Sequence, residues 1–94
     1  MNEDIKKQIE EWHEAGHHQE IIDILERIPA AERDYETIGI LARAYNNIDE
    51  YAKAAALLES VRAEGEEDAV WNFRMGYSQY RYRRLERTTA ISDY

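Results

Sequence analysis

Apolar residues recur along this chain at spacings of three and four, the period of a helix with one buried face, and runs of strand-like alternation are absent. Ile5, Ile9 and Trp12 form the first stripe and predict a helix over residues 3–15, with Glu3 and Asp4 suited to the positive end of its dipole. Gly16 offers a stop. A second helix is expected over residues 18–28, where Ile21, Ile22, Leu25 and Ile28 share a face that Ile24 widens. Pro29 closes it by disfavouring helical geometry at the residue before. Asp34 is a good N-cap for a third helix running to residue 47, with Ile38, Leu41, Ala42 and Tyr45 inside. Asp49 can cap a fourth, which carries Tyr51, Ala54, Ala55, Leu58 and Val61. Gly65 and the acids Glu66, Glu67 and Asp68 mark a break before a fifth helix containing Val70, Trp71, Met75 and Gly76. The expected connections are two to five residues long, which makes sequential helices antiparallel neighbours.

The pattern also repeats. Trp12, Ile21 and Ile28 map onto Tyr45, Ala54 and Val61 at an offset of 33, and Leu41, Ala42 and Tyr51 map onto Met75, Gly76 and Leu85 at an offset of 34. In this register the chain resembles the tetratricopeptide-repeat family over about residues 3–87. The match rests on the bulky and small pair Leu41-Ala42, the aromatics Tyr45 and Tyr51, and the small helix-B residue Ala54. Three positions depart from it: Ile38 stands at the family's tryptophan, Asp49 at its turn glycine and Ile21 at a small residue. The resemblance implies an all-α, right-handed superhelical stack of antiparallel helix pairs, five to six helices in one domain. Its repeats would span about residues 2–34, 35–68 and 69–94, the last incomplete or atypical. Thr88 and Ser92 occupy slots that a second helix of the third copy would fill with a small and a bulky residue, so residues 81–94 obey the pattern least.

Composition supports one small helical unit. Only four glycines and one proline interrupt the chain, and 44% apolar residues suffice for a single modest core. Without cysteine, no disulfide or thiolate zinc site can hold the fold. The charged start, Met1-Asn-Glu-Asp-Ile-Lys-Lys, lacks the apolar core of a signal peptide, and the longest apolar run, residues 54–58, cannot span a bilayer. A cytoplasmic protein is expected. Charge is uneven: residues 1–80 carry 8 Lys/Arg and 18 Asp/Glu, net −10, whereas residues 81–94 carry 4 Arg and 2 acids, net +2. An acidic body disfavours nucleic acid and anionic membranes and favours a basic or apolar protein partner.

Two constellations suggest other chemistry. His13-Glu14-Ala15-Gly16-His17 fits H-E-x-x-H, which on an unbroken helix would place two histidines on one face for zinc, with the glutamate as the base of a peptidase. The repeat register instead puts Gly16 at an interhelical turn, and no third ligand stands at a specific spacing. Tyr80-Arg-Tyr-Arg-Arg-Leu-Glu-Arg resembles a run in which tyrosines stack on RNA bases while arginines meet phosphates; the acidic body opposes that reading. Neither a phosphate loop nor a serine or cysteine nucleophile motif is present, so no enzymatic activity and no cofactor are expected.

What remains is binding. The resemblance implies that successive A helices line a groove for a peptide segment. The matching positions are Lys6, Glu10 and His13, then Arg43, Asn46 and Asn47, then Phe73, Tyr77 and Tyr80. The asparagines supply donors and acceptors for a peptide backbone, and the aromatics supply rigid contact area. Lys6 and Arg74 lie near slots that grip a carboxylate in some family members, but Glu10 stands where an asparagine would be wanted and no such clamp is expected. The weak third copy also suggests an open edge at which Trp71, Met75, Tyr80 and Leu85 would meet a second chain in a homodimer.

Overall fold

The computed structural model describes the backbone of residues 1–92 and the side chains of residues 1–87. Six helices follow one another: α1 (Glu3–Glu14), α2 (His18–Glu26), α3 (Tyr35–Asn47), α4 (Tyr51–Glu59), the single turn α5 (Arg62–Gly65) and α6 (Ala69–Ser92). No strand occurs among the described residues, so the all-helical class holds. No helix is long and apolar enough to cross a membrane.

The helix starts are set locally. The Asn2 side chain accepts the Ile5 N–H at 2.9 Å, and Asp34, as expected, caps α3 by accepting the Thr37 N–H at 2.8 Å. Hydrogen bonding from Thr37, its side chain first and then this backbone N–H, holds the Asp34 carboxyl below its ordinary pKa. Asp49 does not cap α4. It adopts the left-handed region at φ 65°, which glycine tolerates best, Glu50 occupies the cap position, and the Asp49 carboxylate accepts the Tyr51 hydroxyl at 2.6 Å.

The helices pack in chain order, α1 on α2, α2 on α3 and α3 on α4, and α6 closes the bundle against α4 and α3. One core runs through them, built from Ile9, Ile21, Ile22, Leu25, Leu41, Leu58, Trp71 and Met75, with Ala42, Ala44 and Ala54 buried where helices approach. The connections are shorter than five residues except between α2 and α3. There α2 ends at Glu26 rather than residue 28, and a 3₁₀ turn (Ala30–Glu32) follows Pro29, fastened by Arg33 donating to the carbonyls of Ile28 and Glu26.

The largest departure is at the C-terminal end. Residues 69–92 form one unbroken 24-residue helix, about 36 Å long at 1.5 Å per residue, with no turn at the point where a helix pair would fold back. Thr88 and Ser92 lie outside the described side chains. Two local devices seat α6. Trp71 is buried and donates its indole N–H to the Leu58 carbonyl at 2.9 Å, and Gly65 makes room for the ring: a Cβ there would lie 2.3 Å from it. Farther along, the buried Asn46 amide donates to the Arg74 carbonyl at 3.3 Å and accepts the Ser78 hydroxyl at 2.8 Å. Both keep polar atoms satisfied inside the core.

Candidate functional site

Because α3 lies between α1 and the first half of α6, these three helices frame a cleft of about 410 Å³, lined by His13, Arg43, Asn46, Asn47, Val70, Phe73, Arg74 and Tyr77. Val70, Phe73 and Tyr77 follow at spacings of three and four, so one stripe of α6 makes an apolar wall. Phe73 stacks on Tyr77 with centroids 6.5 Å apart, and Tyr77 meets Tyr51 edge-on at 6.0 Å. The Arg81 guanidinium lies 5.4 Å from the Tyr51 ring centre and 5.9 Å from that of Tyr77, a cation–π contact that braces the wall.

The cleft is also cationic, with Arg43 on α3 and Arg74 on α6 beside the apolar stripe. One Arg43 guanidinium nitrogen lies 2.9 Å from Glu10, but its Nε is buried without a partner. Arg74 makes no side-chain hydrogen bond or ion pair among the described residues, and its burial, reinforced by the nearby Arg43 cation, lowers its pKa. His13 is likewise pushed down, first by burial and then by Arg43, and its Nδ1 is buried without a partner. Two arginines held together in a desolvated place are unfavourable by themselves and favour an anionic group. The chain is acidic, whereas this cleft carries the opposite sign.

The structure brings six expected groove residues together: His13, Arg43, Asn46, Asn47, Phe73 and Tyr77. Asn46, however, has its amide committed to α6, so its polar groups serve the fold. Tyr80 is exposed and borders a different hollow of about 300 Å³, beside Asp49, Tyr51, Arg81, Arg84 and Leu85. Lys6 sits with Glu36 at 3.2 Å and Glu3 at 3.8 Å, outside the cleft. Val70 belongs to the wall rather than to the core, a placement legible in its spacing to Phe73 and Tyr77.

No family model, curated protein or solved structure matches this chain. The cleft is therefore read from its own geometry. Of the residues expected at a self-association edge, Tyr80 and Leu85 are exposed at 59% and 52%, but Trp71 and Met75 are buried in their own chain at 3% and 6%. Those two serve the intramolecular core, because α6 turns their stripe toward α4 and α3.

The H-E-x-x-H residues do not share a helical face. The first helix ends at Glu14, Gly16 takes φ 79°, and His17 lies in the turn with Nδ1 3.6 Å from Glu20. His13 instead meets His18 edge-on at 5.7 Å. Among the described residues, no three of His, Asp and Glu converge as a metal-ligand group.

Proposed function

We propose that the chain is a non-catalytic protein-interaction scaffold, a tetratricopeptide-like stack of about two and a half repeats whose α1–α3–α6 cleft holds a segment of another protein. The observation that carries this reading is an aromatic wall beside two neighbouring arginines, of which Arg74 makes no direct side-chain hydrogen bond or ion pair among the described residues although Asp68 and Glu10 lie near enough to favour its charge. Apolar area with a few convergent polar groups is the usual chemistry of a binding cleft. The wall suits an aliphatic or aromatic side chain, the arginines an acidic one, and Asn47 at the end of α3 offers both donor and acceptor to a backbone. This keeps the apolar part of the expected partner but replaces the basic part with an acidic one at the point of contact.

Selection of random twelve-residue peptides on the immobilised protein, followed by anisotropy titration of the enriched sequences, tests the proposal. Enriched peptides pair an apolar residue with Asp or Glu, and Tyr77→Ala or Arg74→Gln weakens them about tenfold, the loss of roughly 1.4 kcal/mol of contact, with circular dichroism unchanged. Selection of no sequence, or affinities indifferent to both substitutions, refutes it.

A further inference from the structure

Opposite Trp71, Met75 and Ser78, α6 presents a second face. Ala69, Phe73, Gly76, Tyr80, Arg83 and Arg87 follow at spacings of four, three, four, three and four, a strict 3.5-residue seam, and all six are exposed, Phe73 by 73%. Its first four positions, Ala69, Phe73, Gly76 and Tyr80, are apolar or small, which is the part of such a seam that packs when helices pair. Gly76 at its centre has no explanation inside the chain: a Cβ there would meet nothing within 4 Å, and its φ is not positive. A glycine inside a helix is unfavourable by about 1 kcal/mol relative to alanine, and here no intramolecular contact requires it. Close approach of another helix does.

We propose that the occupant is α6 of a second copy, crossing antiparallel with the twofold axis beside Gly76. In that register residue 76+n faces residue 76−n of the other copy. Phe73 then packs beside Tyr80 of the second copy, and its backbone comes close at Gly76. Arg83 falls beside Ala69 of the second copy, and Arg87 lies one turn farther on, toward the start of that α6, which its exposed Glu66 and Glu67 immediately precede. The charge division along the chain, basic after residue 80 and acidic just before α6, becomes self-complementary only when two copies run in opposite directions, and a twofold contact requires that self-complementarity. Phe73 borders both the seam and the cleft, but Arg43 and Arg74 lie outside the seam, so a substitution at Arg74 tests the cleft without altering a seam residue.

The chain has no cysteine, so single thiols report the geometry directly. Under mild oxidant, Gly76→Cys forms a covalent dimer about tenfold or more faster than an exposed control, Glu11→Cys, because pairing raises the effective concentration of the two thiols. Ala69→Cys and Arg83→Cys cross-link when mixed but slowly alone. In sedimentation velocity, Arg83→Glu with Arg87→Glu shifts the protein toward monomer, and adding Glu66→Arg with Glu67→Arg restores the dimer. A monomer throughout the high-micromolar range overturns the proposal, and so does a dimer in which Gly76→Cys reacts no faster than Glu11→Cys. Arg74→Gln leaves the cross-linking unchanged, which separates failure of the dimer from failure of the peptide cleft.

Discussion

The α3–α4 hairpin and α6 carry the same large-and-small pattern, yet meet different surroundings. In the hairpin, Leu41 and Ala42 are both buried, at 1% and 0%, because α2 lies on one side and α4 and α6 on the other. In α6, Met75 is buried at 6% but Gly76 is exposed with open space around it. Tyr51 is buried at 3%, whereas Leu85, which aligns with it at an offset of 34, is 52% exposed. The pattern encodes two contact faces per layer, and α6 uses only one of them within the chain. The hairpin's large-and-small pair is spent on the fold, whereas α6 has a face left over.

The comparison breaks most visibly in the core. Leu41→Ala removes a fully buried side chain shared by both layers and destabilises the domain by roughly 2–5 kcal/mol, measured by urea unfolding. Gly65→Ala drives a methyl against the Trp71 ring and loses about 1–3 kcal/mol, with a change in tryptophan fluorescence showing that the seat of α6 has shifted. A sharper contrast comes from the paired small positions. Ala42→Leu overpacks the hairpin and lowers stability by about 1–3 kcal/mol, while Gly76→Ala, measured at protein concentrations low enough to keep the chain monomeric, raises it by up to about 1 kcal/mol. If both substitutions destabilise equally, the two layers are equivalent and the contrast falls.

The smallest effect is a pH dependence at the Tyr35–Asp68 contact that joins α3 to the start of α6. The tyrosine hydroxyl donates to the carboxylate at 2.5 Å, and this bond, with burial, pushes Tyr35 from 10.0 up to about 12 while holding Asp68 low. The raised phenol favours the folded state below pH 10 and loses that contribution as pH rises from 10.0 through about 12. The depressed carboxyl contributes above its ordinary value and loses its part as pH falls through it. Thermal melts across pH therefore show Tyr35→Phe flattening the alkaline limb and softening the acid one, with Asp34 still contributing to the latter.

Much of the helical layout was legible because each break has a local chemical cause: Gly16 for the first turn, Pro29 for the second and Asp34 for the start of α3. The α3–α4 turn was placed correctly but for a different reason, since Asp49 supplies a left-handed backbone instead of a cap. The continuity of α6 was not legible. Residues 81–87 hold helix-forming Arg, Leu and Glu with no glycine or proline to stop them, and a repeat register says where a turn would fall, not whether local propensity permits it. Within the cleft, Arg43, Asn47, Phe73 and Tyr77 were named through the repeat resemblance, and the structure places them along one cleft. The repeat register misplaced Trp71 and Met75 because spacing alone does not say which face of α6 packs on α4 and α3, and it assigned Asn46 to a ligand because the buried Ser78 hydroxyl that accompanies it lies 32 residues away.

An alanine series along residues 70–80, unfolded in urea at low protein concentration, tests most directly whether α6 divides into a face that holds the fold and a face that does not. Trp71→Ala and Met75→Ala are predicted to lose about 2–5 kcal/mol, while Phe73→Ala and Tyr80→Ala stay within about 0.5 kcal/mol of the parent. Losses at Phe73 or Tyr80 as large as those at Trp71 would contradict the account.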